Sequence, residues 1–143
     1  MGDELSRRGE ECAARGLSHR PVPWVKHEAA NAGSPFINQL ISLCGMEGYG
    51  RYWRLIELLS NTNTHAIPTQ GEQGYRGFQL GLGFGSSDEF ESFVSTLIDL
   101  ELVTVSEGGR RGVPLVDESA LAIGKARYNG SKGGRAAAQN RQR

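Results

Sequence analysis

Apolar positions recur at helical spacing in four stretches of the chain, and three of them open on a recognisable start signal. Phe36, Ile37, Leu40, Ile41 and Cys44 follow Ser34-Pro35. The serine can accept from free backbone N–H groups, and the proline is pre-set for a first helical position. Gly45 is expected to end that helix, with Cys44 as a core thiol. Between Gly48 and Leu59, Tyr49, Tyr52, Trp53 and Ile56 form one stripe, which Leu55, Leu58 and Leu59 widen. So wide a face predicts a central helix packed on more than one side. The aromatics share that face with aliphatics, which favours core packing over a base-stacking platform. Thr69 and Glu72 have capping-box spacing ahead of Tyr75, Phe78 and Leu82, although Gly71, Gly74, Gly77 and Gly81 weaken this third helix. Ser86-Ser87-Asp88-Glu89 repeats the signal ahead of Phe90, Phe93, Val94 and Leu97.

Other segments read as strands or loops. His65-Ala66-Ile67-Pro68 predicts a brief strand. Leu102–Ser106 is β-branched, Glu107–Gly112 is a glycine-rich turn, and Val113–Val116 is expected to return as the second arm of a hairpin. Pro114 cannot donate to a ladder, so that arm is expected at an edge. Asp117 is expected to cap a last helix reaching about Tyr128. Beyond Asn129-Gly130 the sequence is rich in Gly, Ala and Arg, and disorder in the free chain is expected. Residues 1–22 read as a mobile extension, with a short helix possible from Asp3 to Ala14. The remainder divides into a domain over 23–117 and a C-terminal helix with a basic tail over 118–143. This order, mainly α with a small β-hairpin, is that of a winged helix-turn-helix, whose second motif helix usually enters the major groove.

The 143 residues are 38% hydrophobic, enough for one domain's core. Mean hydropathy is −0.42. No apolar run approaches a membrane span, and Met1–Arg20 has no apolar stretch, so no secretory signal is expected. Cys12 and Cys44 give no disulfide framework, so a reducing cytoplasm is expected.

Sixteen basic and sixteen acidic residues cancel, but they are not mixed. Ser86–Glu107 holds Asp88, Glu89, Glu91, Asp99, Glu101 and Glu107 with no Lys or Arg. Ser119–Arg143 holds Lys125, Arg127, Lys132, Arg135, Arg141 and Arg143 with no Asp or Glu. DNA affinity comes largely from neutralising phosphates, so the acidic helix is a poor base reader. Arg110 and Arg111 at the expected wing tip, together with the six tail cations, are the candidate DNA contacts. Such contacts position a protein and carry little sequence information. A rival reading is a protein-interaction or self-association module using the acidic 87–101 helix, or a small transcriptional regulator.

Several strings carry a family resemblance. Trp24-Val25-Lys26-His27-Glu28 with Asn31, then Gly45-Met46-Glu47-Gly48-Tyr49-Gly50-Arg51-Tyr52-Trp53-Arg54-Leu55, resembles the opening of the N-terminal domain of Lin-type, DnaD-like phage replisome organisers. Ala126-Arg127-Tyr128-Asn129-Gly130-Ser131-Lys132-Gly133-Gly134-Arg135 is similar to the basic segment that follows that domain. The resemblance covers about residues 24–135. It implies a winged-helix module that helps organise DNA, initiator and other replication proteins in phage or mobile-element replication.

Other chemistry finds little support. Gly81-Leu82-Gly83-Phe84-Gly85 lacks the Lys-Ser/Thr of a phosphate loop and reads as a turn. His19, His27, His65 and Cys12 have no zinc spacing. No nucleophile–base set is visible. The chain is expected not to be an enzyme and to need no cofactor, metal, membrane or small-molecule substrate.

Overall fold

The computed structural model describes residues 20–141, with side chains as far as Ser131. The helix considered over Asp3–Ala14 lies outside the described residues. After a 3-10 turn at Ala29–Gly33, the elements are α1 (Pro35–Ser60), β1 (Ala66–Ile67), α2 (Tyr75–Gly81), α3 (Ser87–Asp99), β2 (Thr104–Val105), β3 (Arg111–Gly112) and α4 (Pro114–Arg141). The protein is mainly helical with a small three-stranded antiparallel sheet, ordered β1-β3-β2.

The Ser34 hydroxyl accepts from the Ile37 N–H and opens α1. Gly45 ends the first helical arm, as expected. Its backbone sits at φ 71°, ψ −176°, a conformation essentially reserved for glycine. The next arm starts at once, so α1 consists of the two helices expected on either side of Gly45, joined across a kink. Gly48 allows the bend to close, because a Cβ there would collide with the Cys44 side chain. Ser86 caps α3 by accepting from the Glu89 N–H.

The Thr69–Glu72 signal behaves differently. The Thr69 hydroxyl donates to Glu72 at 2.5 Å. That bond, with the Thr69 backbone N–H, holds the Glu72 carboxyl below its usual range. These contacts close a turn, and α2 begins only at Tyr75, after Gly74 in the left-handed region (φ 89°).

α1 is the hub, packing against α2, α4 and the 3-10 turn. Leu40, Leu55, Leu59, Phe90, Val94 and Leu97 lose essentially all exposure around it. Phe78 and Phe93 join Ile56 in the same interior, and half-buried Trp53 packs on its edge beneath the His27 ring, 4.0 Å away. The aromatics of the second arm therefore serve the core.

The hairpin is shorter than its sequence suggests. Arg111-Gly112 pairs with Thr104-Val105 on one side and Ala66-Ile67 on the other, so β3 is the central strand. Val113–Val116 is not a strand and occupies no edge. Pro114 takes the first position of α4, where its missing N–H costs nothing, and the Val116 and Asp117 N–H groups donate to the Val113 carbonyl. Val113 and Val116 are β-branched because they are core residues, both fully buried.

Two boundaries also move. Val22, assigned by sequence to the extension, is buried with Ala120 and Ile123, and its N–H donates to the Ser60 carbonyl at 2.8 Å. At the other end, the helix expected to stop near Tyr128 continues through Asn129-Gly130 to Arg141. Ala136, Ala137 and Ala138 favour that continuation. Among the described residues no helix is long and apolar enough to cross a membrane.

The bend in α1 generates a stability prediction. Gly45→Ala should cost about 1–3 kcal/mol through its backbone conformation, and Gly48→Ala about the same through overpacking. Gly50, helical with open space where a Cβ would go, should tolerate alanine with a gain of about 0.5–1 kcal/mol. Urea unfolding of the three variants checks this; equal effects at all three positions would mean that the bend carries no constraint.

Candidate nucleic-acid interface

Arg111 and Arg110 are consecutive in β3 and its turn, so their side chains leave opposite faces of the sheet. The Arg111 side chain turns inward and is about one-tenth exposed. Its Nη1 donates to Glu91 Oε2 at 2.8 Å and its Nη2 to the Pro68 carbonyl at 2.5 Å. The Tyr75 hydroxyl donates to the other oxygen of Glu91 at 2.8 Å. One guanidinium thus ties the central strand to α3 and to the turn after β1, and the shared carboxylate adds α2. Burial pushes the Tyr75 phenol up to about 12, helped by its bond to Glu91.

Arg110 points the other way. Its guanidinium forms a two-pronged pair with Asp117 in the first turn of α4, with distances of 2.9 and 3.2 Å. It also donates to the carbonyls of Thr64 and His65. The two arginines expected to project from a wing tip are therefore engaged within the chain. Their sequence setting, a glycine-rich turn, hid the partners because Glu91 and Asp117 lie in other elements.

The tail cations are arranged differently. Among the residues of α4 whose side chains are described, the last buried ones are Ile123 and Gly124. Lys125 is exposed, and Arg127 donates to the Pro21 carbonyl at 3.2 Å, fastening the helix to the incoming strand of chain. Lys132, Arg135 and Arg141 lie on the helical backbone of α4, with their side chains outside the described residues. Arg143 lies wholly outside them. From Lys125 to Arg141 the helix runs about 25 Å.

α3 exposes Asp88, Glu89, Ser92, Ser95 and Asp99, so the face that a recognition helix would present carries acid and hydroxyl groups. Sequence reasoning passed over Arg76, the only Lys or Arg between Arg54 and Arg110. It is exposed on α2 and lines, with Gln70, Gln79 and Ser87, a depression of about 500 Å³ at the start of α3. Its isolation in the sequence was the available signal. Among the described residues no three His, Cys, Asp or Glu side chains gather as a metal site.

Comparisons with protein-family models, curated proteins and solved structures find no match to this chain.

The Arg111 clamp predicts an asymmetry. Glu91→Ala strands a buried cation and should cost about 1–3 kcal/mol, reduced from a fully buried case by the partial exposure of Glu91. Arg111→Met should cost less, because Glu91 keeps Tyr75 and water. Denaturant unfolding of both variants decides it, and the reverse order would contradict a clamp centred on Arg111.

The pH dependence follows from Tyr75. The fold holds the neutral phenol, so its contribution is whole below pH 10 and disappears as pH climbs from 10 to about 12. Tyr75→Phe should flatten the loss of stability over that interval.

Proposed function

We propose that this chain is a winged helix-turn-helix module of phage or mobile-element DNA replication that holds DNA through the basic half of α4, with little base specificity and no chemistry of its own. The observation that carries the reading is the engagement of both hairpin cations, set against an acid-free basic run on α4. Arg110 and Arg111 are held by Asp117 and Glu91, whereas the acid-free run after Glu118 lies on a helix that has left the core by Lys125. A long helix studded with cations suits phosphate contact, which needs charge and reach more than shape.

The element order and the pairing of β1 with the hairpin's central strand support the winged-helix assignment. Arg76 supplies one further cation beside the turn between α2 and α3, where such a fold approaches the backbone of DNA. The acidic face of α3 argues for weak base reading. The replication setting rests on the resemblance of the 24–55 and 126–135 strings.

Fluorescence anisotropy with duplex and single-stranded DNA over about 50 to 300 mM salt tests the reading. About four phosphate contacts predict a log–log slope of roughly −3 to −4. A full-length variant with Lys125→Gln, Lys132→Gln, Arg135→Gln, Arg141→Gln and Arg143→Gln should lose affinity by about 100-fold or more and flatten the slope. Arg76→Gln should lower the slope's magnitude by about one unit. A wild-type slope near zero, or unchanged binding by the five-glutamine chain, removes α4 from the interface.

A further inference from the structure

A groove of about 570 Å³ runs between α1 and α3. Its floor is apolar, made by Cys44, Gly48, Phe84 and Phe93. Arg51 also faces it, but that cation is already held. Its Nε donates to the Leu82 carbonyl at 2.9 Å, its Nη2 pairs with Glu47 at 2.9 Å, and its guanidinium lies 4.4 Å over the Phe84 ring. The opposite lip is different. Asp88 and Glu89 are exposed and have no ion-pair partner among the described residues. The surface therefore combines apolar ground with an unanswered negative rim.

The chain carries the complementary chemistry at its other end. Six cations and no acid occupy residues 119–143, against six acids and no cation in residues 86–107. Between Arg135 and Arg141 lie Ala136, Ala137 and Ala138, so the end of α4 alternates charge with small apolar groups. Among the described residues, Asp88 and Glu89 pair with no cation of α4. Lys125, Ala126, Asn129, Gly130 and Ser131 are all exposed, and α4 continues unbroken to Arg141 instead of folding back.

We propose that the α1–α3 groove seats the basic end of α4 from a second copy, so that copies of this chain associate head to tail. Donor and acceptor are different surfaces on every copy, so the contact is heterologous and propagates into open chains or closes into rings. Screening by salt opposes it. The seat does not depend on the proposed DNA contact, although DNA phosphates and the Asp88–Glu89 lip draw on the same cations and compete for them.

Sedimentation velocity on the full chain tests the proposal. Concentration-dependent association is expected at about 50 mM salt and is expected to vanish at about 500 mM. The acceptor is disabled by Asp88→Asn with Glu89→Gln. Ser92→Arg disables it independently, leaving the first turn of α3 untouched. The donor is disabled by the five tail glutamine substitutions. Each variant alone should be monomeric, with circular dichroism confirming its helices. A donor-disabled chain mixed with an acceptor-disabled one should form a one-to-one pair that grows no further. Wild-type protein that stays monomeric, variants that self-associate like wild type, or a mixture that forms no pair would each overturn the proposal. DNA binding is read separately by anisotropy, so failure here leaves that result intact.

Discussion

A sheet of two-residue strands has too little ladder to hold itself, and Arg111 supplies what the ladder lacks. Its guanidinium reaches from the central strand to the carboxylate of Glu91 on α3 and to the carbonyl of Pro68 beyond β1. Tyr75 brings α2 to the same carboxylate. Three elements that share little backbone hydrogen bonding are fixed by one planar cation with several donors. Such a group is costly to bury unless nearly every donor is used. Here Nη1 and Nη2 are satisfied while Nε has no partner, and the balance is set by Glu91 remaining half in water.

The same clamp decides what the exposed surface can do. With Arg111 drawn inside and Arg110 folded onto Asp117, the hairpin offers little net positive charge. The longest acid-free basic run of the sequence falls on the far part of α4, and the acids gather on and just after α3. A chain whose formal charge is zero thus presents two regions of opposite sign. Any charged partner meets one or the other, and net charge is a poor guide to what it will meet.

Local signals in the sequence were reliable where the chemistry was local. The Ser34 and Ser86 caps, the helical stripe from Tyr49 to Leu59 and the brief strand near Ile67 could all be read from neighbouring residues. Val113–Val116 could not. A β-branched run with one proline fits a strand, and only the buried surroundings of Val113 and Val116 show that the proline begins a helix. The partners of Arg110 and Arg111 were hidden for a related reason. A turn composition says that the chain reverses, but the facing of each arginine depends on register with β1, which lies more than forty residues away. Val22 was equally hidden, since its partners Ala120 and Ile123 come from the other end of the chain. At the proposed interface, the charge runs were legible, whereas the engagement of the hairpin cations was not.

The fastening of α4 has a mechanical consequence. Val22 and Arg127 bind its root to the segment entering α1, and the helical backbone continues from Lys125 to Arg141 over about 25 Å. A tilt of about ten degrees at that root displaces the far end by roughly 4 Å on such a length. Load applied along the helix arrives where Pro21 and Val22 cross it.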